Sequence, residues 1–291
     1  MGESIGVLAA MLSSAIGGAS IGVTRYIAGV IDPFAIGAFR FGIGFVLLLP
    51  IAFFRRCTWP SRGDLYGVTA LGLLFFGVFP VLFNASLVFT TAARGALALS
   101  TLSVLTMAVA AALGGERLTK RKATGVGVAM SGVALALLTG LSTAPAGAWR
   151  GDLLMLCAAL CMAFYSVWSR SFIRRSDPLT FTAMAMGMGT IALVAVSAVR
   201  GSFAPVPSLA AGQWIALAFL GAFGGALTFF LWSLALERTT PTRVSISITV
   251  NPVAAALVGA LLLGEPLRWN LCVGIFTVFC GIWIATSTPR R

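Results

Sequence analysis

No histidine occurs among the 291 residues of this chain, and only eight side chains are acidic. Without imidazole there is no neutral-pH general base of the usual kind and none of the commonest metal ligand. Lysine is almost absent too, with Lys120 and Lys122 in one segment. The five cysteines, Cys57, Cys157, Cys161, Cys272 and Cys280, form an odd, scattered set. Such a set gives neither a disulfide framework nor metal-ligand spacing, and the thiols read as small buried side chains. There is no HExxH, no P-loop, and no GxSxG in a strand–turn–helix context. ATP is therefore not expected to drive anything directly; neither an enzyme nor a cofactor is expected. Charge is scarce altogether, at 10% of residues, where a soluble domain carries about 25%. The net charge of +12 does not point to nucleic acid, because the basic residues are not gathered on amphipathic or aromatic-interleaved segments.

Apolar residues make up 59% of the chain and mean hydropathy is +1.00. In a bilayer core every backbone N–H and C=O must be satisfied within the segment, so long apolar runs must be helices. A span needs about 20 residues. Runs of that length fall at 4–24, 33–54, 65–88, 91–113, 123–140, 151–172, 178–199, 211–235, 242–263 and 269–287. The expectation is an all-α polytopic membrane protein with ten transmembrane helices and short connections. Met1-Gly2-Glu3-Ser4 lacks the basic stretch of a cleaved signal peptide, so the first run is expected to be retained.

Basic residues set the orientation. With the N-terminus inside, the inner segments hold Arg55, Arg56, Arg62, Arg117, Lys120, Arg121, Lys122, Arg170, Arg174, Arg175, Arg238, Arg243, Arg290 and Arg291. The outer ones hold Arg25, Arg94, Arg150, Arg200 and Arg268. Cytoplasmic loops carry the excess of Lys and Arg, which predicts both termini in the cytoplasm.

The chain also repeats itself. At a shift of 149, residues 91–136 align with 240–285 without a gap and match at twelve of forty-six positions, where this composition would give roughly a tenth by chance. Thr91 meets Thr240, Arg94 meets Arg243, and Gly115-Glu116-Arg117-Leu118 meets Gly264-Glu265-Pro266-Leu267. At a shift of 145, Asp32-Pro33 meets Asp177-Pro178 and Gly42-Ile43-Gly44 meets Gly187-Met188-Gly189. Two units, 1–145 and 146–291, each hold five spans. An odd number inverts the second unit in the membrane, the arrangement typical of secondary transporters. A membrane-embedded scaffold or interaction protein without a transport cycle is the alternative.

Ten spans, duplicated halves, the G-E-x-L signature after the fourth and ninth spans, the glycine pairs Gly125/Gly132 and Gly274/Gly281, and Asn251-Pro252 together resemble the drug/metabolite transporter superfamily, EamA type. The resemblance runs over essentially the whole chain. Leu102-Ser103 departs from it where the first half would carry Asn-Pro. It implies a secondary transporter or facilitator of small metabolites working by alternating access. The most similar members export amino acids and related metabolites, neutral and aromatic ones included. Expected partners are a small-molecule substrate and the lipid bilayer, not nucleic acid, with a monomer allowed.

All eight acids lie near span ends, so no carboxylate is expected at mid-membrane to carry a coupling proton. Candidate lining groups are Asn84, Phe79 and Phe83 in the third span and Ser100, Thr101 and Ser103 in the fourth. Tyr165, Ser166 and Trp168 come from the sixth, Phe229, Phe230 and Trp232 from the eighth, and Ser245, Ser247, Thr249 and Asn251 from the ninth. For each Ser or Thr the competing reading is a bond to the preceding turn of its own helix. Arg40, seven residues past Pro33, sits ~10 Å along its helix and either binds a substrate carboxylate or snorkels outward. Pro80, Pro252 and the glycines Gly221, Gly224 and Gly225 are candidate flexing points. For gating, Arg94 is expected to approach Glu265 on the outer side and Arg243 to approach Glu116 on the inner side.

Overall fold

The computed structural model describes residues 2–55, 57–113, 119–120, 123–125, 127–128, 131–132, 135, 147–264 and 269–286. Among them every regular element is a helix. Eight helical segments are long and apolar enough to cross a membrane: Ser4–Ile27, Pro33–Phe54, Arg62–Phe89, Ala92–Ala112, Ala148–Ile173, Pro178–Val199, Ala211–Arg238 and Pro241–Leu263. They coincide with the first four and the sixth to ninth predicted spans and are numbered so below. Trp269–Thr286 is helical where the tenth is predicted. Most of the fifth, and the junction at 145, lie outside the described residues.

The repeat in the sequence reappears as repeated local chemistry. Asp32 caps the second span by accepting the Phe34 N–H at 2.9 Å, and Asp177 caps the seventh through Leu179 at 2.8 Å. Proline follows each cap at a position whose N–H would have no helical partner. Thr91 and Thr240 cap the fourth and ninth spans by accepting the N–H groups of Arg94 and Arg243. Arg25 Nη1 donates to the Leu87 carbonyl at 2.7 Å, where the third span ends, and Arg170 Nε reaches the Leu236 carbonyl at 3.4 Å, where the eighth ends. Cations belong at those exposed carbonyls.

Irregularity repeats as well. The third span is α-helical over Leu65–Gly72, π-helical over Leu73–Val78 and α-helical again over Phe79–Phe89. The eighth does the same at Ala211–Phe219, Leu220–Leu227 and Thr228–Arg238. The fourth breaks at Ser100–Thr101, between Ala92–Leu99 and Leu102–Ala112. The ninth has a 3-10 turn over Ser247–Thr249, between Pro241–Ile246 and Val250–Leu263. Pro80 and Pro252 each fall just after such a segment, where the missing N–H is accommodated by the disturbed ladder.

The halves interlock. The first span packs on the eighth and ninth, the sixth packs on the third and fourth, and the second lies along the seventh. Glycine permits the closest approaches. A Cβ at Gly18 would stand 2.6 Å from the Asn251 carbonyl oxygen, and one at Gly22 would stand 2.5 Å from Val258. Gly44 lies against the backbone of Gly225 and Ala226, and its repeat mate Gly189 against Phe76. Fourth and ninth spans meet where Ser103 Oγ donates to the Ser245 carbonyl at 2.8 Å.

Connections sort into two faces. On one, Arg175 pairs with Asp64 at 2.6 Å and the Asp177 N–H and Thr180 hydroxyl both reach the Thr58 carbonyl. On the other, Arg94 pairs with Asp152, and Arg200 stands over the Phe34 ring at 4.8 Å.

Candidate functional site

A cavity of about 30 Å³ lies where the halves meet. It is walled by Ser13, Ser14, Gly17 and Ile21 of the first span, Arg40 of the second, and Phe79 and Phe83 of the third. Leu99, Met162, Thr228, Phe229, Trp232, Ile248 and Asn251 close it from the fourth, sixth, eighth and ninth. Small-molecule sites usually enclose roughly 300–1,000 Å³, so this volume holds a water or two and no metabolite.

Arg40, Trp232 and Asn251 line this space among rings, beside the hydroxyl residues Ser13, Ser14 and Thr228. Arg40 is buried at 4% exposure. Its Nε and Nη2 both donate to one acceptor, the Gly224 carbonyl, at 3.2 and 2.9 Å. That carbonyl lies in the π-helical stretch of the eighth span. The neighbouring Phe223 carbonyl is taken by the Thr228 hydroxyl at 2.8 Å. The guanidinium carbon lies 5.5, 5.6 and 5.8 Å from the ring centres of Phe41, Phe83 and Phe229, within cation–π range. No carboxylate pairs with Arg40 among the described residues. Trp232 Nε1 and Asn251 Oδ1 are buried without hydrogen-bond partners. The site therefore offers a cation and an indole N–H as donors and an amide oxygen as acceptor. No Asp or Glu lines it among the described residues.

Of the residues singled out in the sequence, Arg40, Phe79, Phe83 and Asn251 meet at the cavity, joined by Phe229 and Trp232. Arg40 faces inward and does not snorkel. Tyr165 does not line the cavity. It is fully buried in an aromatic cluster, stacked on Phe75 with centroids 4.1 Å apart, and its hydroxyl lies beside Ser233 without completing a hydrogen bond. Ser245 and Thr101 are also buried elsewhere, their hydroxyls turned back to the Thr242 and Ala98 carbonyls. Asn84 donates to the Pro33 carbonyl at 2.9 Å, tying the third span to the start of the second. Trp168 is 46% exposed and lies against Phe164 on the outside of the bundle. For Ser245 and Thr101 the bond to the preceding turn of the same helix is the one present in this conformation.

The gating candidates divide. Arg94 forms a two-pronged pair with Asp152, Nη2 to Oδ2 at 2.7 Å and Nε to both oxygens at 3.1 Å. Asp152 was not singled out in the sequence, although it is the one acid near the start of the sixth span. Glu116 and Glu265 lie outside the described residues, and with them the two expected pairings. Arg243 begins the ninth span. Pro80 and Pro252 flank helix irregularities.

The first span's contribution was missed. Ser13 Oγ donates to the Thr228 carbonyl at 2.8 Å, and Ser14 shares a 2.8 Å hydrogen bond with Ser247. Adjacent hydroxyls in the middle of an otherwise apolar run were the available signal.

Comparison with known proteins agrees with this architecture. The sequence model of the EamA-like transporter family matches twice, at residues 4–138 and 149–287. Uncharacterized transporter YyaM of Bacillus subtilis is 25% identical over 277 residues, covering 94% of this chain and 90% of that protein. Uncharacterized protein PA1977 of Pseudomonas aeruginosa is 34% identical over 263 residues, 89% of this chain and 86% of its own. A probable terminal-alkyne amino-acid exporter of Streptantibioticus cattleyicolor is 27% identical over 208 residues, 71% of this chain and 68% of its own. A crystal structure of a protein 22% identical superposes with a TM-score of 0.70 over 98% of this chain and 96% of that one, which shows a shared fold.

Proposed function

The chain belongs to the EamA-like transporter family, and from that premise we propose that it exports small metabolites, amino acids foremost, from a bacterial cytoplasm across the inner membrane. Both termini lie in the cytoplasm on this reading, as the loop charges favour. The observation that carries it is the position of the cavity: both halves wall it, next to the paired breaks in the third, fourth, eighth and ninth spans. Sites at the repeat interface, bordered by discontinuous helices, are the pattern for carriers of inverted design. Broken helices can bend without losing a whole ladder of hydrogen bonds. Rocking one half against the other would open the cavity to each side in turn.

The lining bears on coupling. A proton-coupled carrier needs a group that titrates inside the bundle. Arginine does not lose its proton in proteins, and the other polar lining groups are hydroxyls, an amide and an indole. Transport is then facilitated, or coupled without an intramembrane carboxylate. The amino-acid preference draws on the exporter from Streptantibioticus cattleyicolor and on a lining of aromatic and small polar groups.

Proteoliposomes loaded with a panel of labelled amino acids and organic acids test the proposal. Efflux of at least one of them that saturates, is independent of ATP and persists without a pH gradient is expected. No solute moving faster than through protein-free vesicles would refute it.

A further inference from the structure

We infer that the group this cavity reads is a carboxylate on an apolar or aromatic body, and that Arg40 is its receptor. The inference rests on the carrier reading above and goes further, to the chemistry of the cargo.

A guanidinium carries five N–H donors in a planar fork. In Arg40 two of them serve a single carbonyl, that of Gly224, and no anion answers the charge among the described residues. Away from water, a charge without a counter-charge is costly, and the fold elsewhere avoids the cost by giving Arg94 an aspartate. The rings around Arg40 offset part of this through their faces but accept no hydrogen bonds. What the site lacks is an oxyanion with paired oxygens, the shape a guanidinium fork binds best.

Two further residues line the same space and carry buried polar atoms without partners. Trp232, 1% exposed, brings a free indole N–H, and Asn251, 4% exposed, a free amide oxygen. The indole adds a donor for the carboxylate, while the amide oxygen can accept from an ammonium. Phe79, Phe83, Phe229, Ile21 and Met162 supply apolar wall for the rest of the molecule. An organic cation finds no acid here and meets Arg40 instead.

The asymmetry of the halves supports the same assignment. Arg40 has Ala185 as its repeat mate and Asn251 has Leu102, so neither is required by the duplicated scaffold. Arg40 is also accommodated specifically. A Cβ at Gly224 would stand 3.4 Å from its Nη2 and 2.6 Å from the Ser20 hydroxyl, and one at Gly225 would stand 2.5 Å from the Arg40 carbonyl.

The test is equilibrium binding to the full chain purified in detergent, with 3-phenylpropionate, its amide, phenylalanine and phenethylamine. Wild-type protein should bind the acid more tightly than the isosteric amide by about tenfold or more, the usual margin of a charge-assisted hydrogen bond. Phenethylamine should bind weakest. Arg40→Gln should erase the preference for acid over amide, and Arg40→Lys should restore part of it. Trp232→Phe should reduce it. If the Arg40 variants do not fold, the wild-type series decides alone. Phenylalanine binding tighter than phenylpropionate, with the advantage lost in Asn251→Leu, assigns the cargo to amino acids; the reverse order assigns it to plain carboxylic acids, and both sustain the carboxylate.

Equal wild-type affinity for acid and amide overturns the inference. So does an acid preference that survives in folded Arg40→Gln. Flux that treats acid and amide alike also overturns it, while leaving the carrier reading intact. Arg40-dependent binding of the acid with no flux of any solute sustains the inference and refutes the carrier reading.

Discussion

Arg40 and Arg94 are both buried guanidiniums in one helical bundle, and the protein provides for them in opposite ways. Arg94 starts the fourth span and is met by Asp152 from the sixth at 2.7 Å, their side chains 10% and 15% exposed. Arg40 lies at the central cavity, with a carbonyl and three ring faces around it. The first arrangement ties two helices together. The second leaves a charge without a carboxylate, among the described residues, at the place where two halves meet. A scaffold selected for stability alone would have paired both or replaced Arg40 by an apolar side chain of similar size.

The largest effect expected from this contrast is on stability. Asp152→Ala removes the two-pronged carboxylate partner of a largely buried Arg94 and should cost about 3 kcal/mol, read from denaturant titration in detergent micelles. The double variant Arg94→Met, Asp152→Leu should recover most of that loss. If it does not, the pair has a role beyond tying helices.

Gly18→Ala should follow at about 1–3 kcal/mol, the usual range for overpacking. Its Cβ meets backbone, the Asn251 carbonyl at 2.6 Å and Asn251 Cα at 2.8 Å, so no side chain can rotate away. The first and ninth spans would have to separate, and transport should fall along with stability.

Arg40→Met sharpens the comparison by reversing it. Stability should change by less than about 1 kcal/mol, because relief from burying an unpaired charge offsets the hydrogen bonds lost at the Gly224 carbonyl. Transport of carboxylates should nevertheless be lost. A large loss of stability would show that Arg40 is a structural tie like Arg94. Gly77→Ala should do least, within about 0.5 kcal/mol, since a Cβ there meets nothing within 4 Å. It is the control for glycine replacement within a π-helical segment.

The spans were legible because lipid imposes one rule on every residue that enters it. The second and seventh helices run over Pro33–Phe54 and Pro178–Val199, the ranges read from sequence, because Asp-Pro starts each and an arginine follows each. Thr91 and Thr240, matched in the repeat, turned out to cap matched helices. Backbone detail was less legible. Pro80, Pro252 and the glycines of the eighth span marked where helices are disturbed, but proline does not say whether a π stretch or a 3-10 turn precedes it. The break at Ser100–Thr101 has neither proline nor glycine.

The candidate site was half legible. Arg40 and Asn251 stood out because a charge or an amide in an apolar run needs a reason. Tyr165 stood out for the same reason and lies elsewhere, because depth in the membrane fixes one coordinate and leaves rotation about the helix free. Phe75, Phe76 and Phe229 supply that missing coordinate through ring packing, which no single-sequence pattern displays. Asp152 was passed over as a span-end charge until its partner came from another span.

The central claim is that the cavity between the halves is the transport site and opens to both faces. Ile248→Cys, in a chain whose five native cysteines are replaced, places a thiol on the cavity wall. Right-side-out and inside-out vesicles are then treated with a membrane-impermeant maleimide, with and without a transported substrate. Labelling from both faces, slowed from both by substrate, is the predicted result. Labelling from one face alone, or labelling that substrate leaves unchanged, would contradict the account.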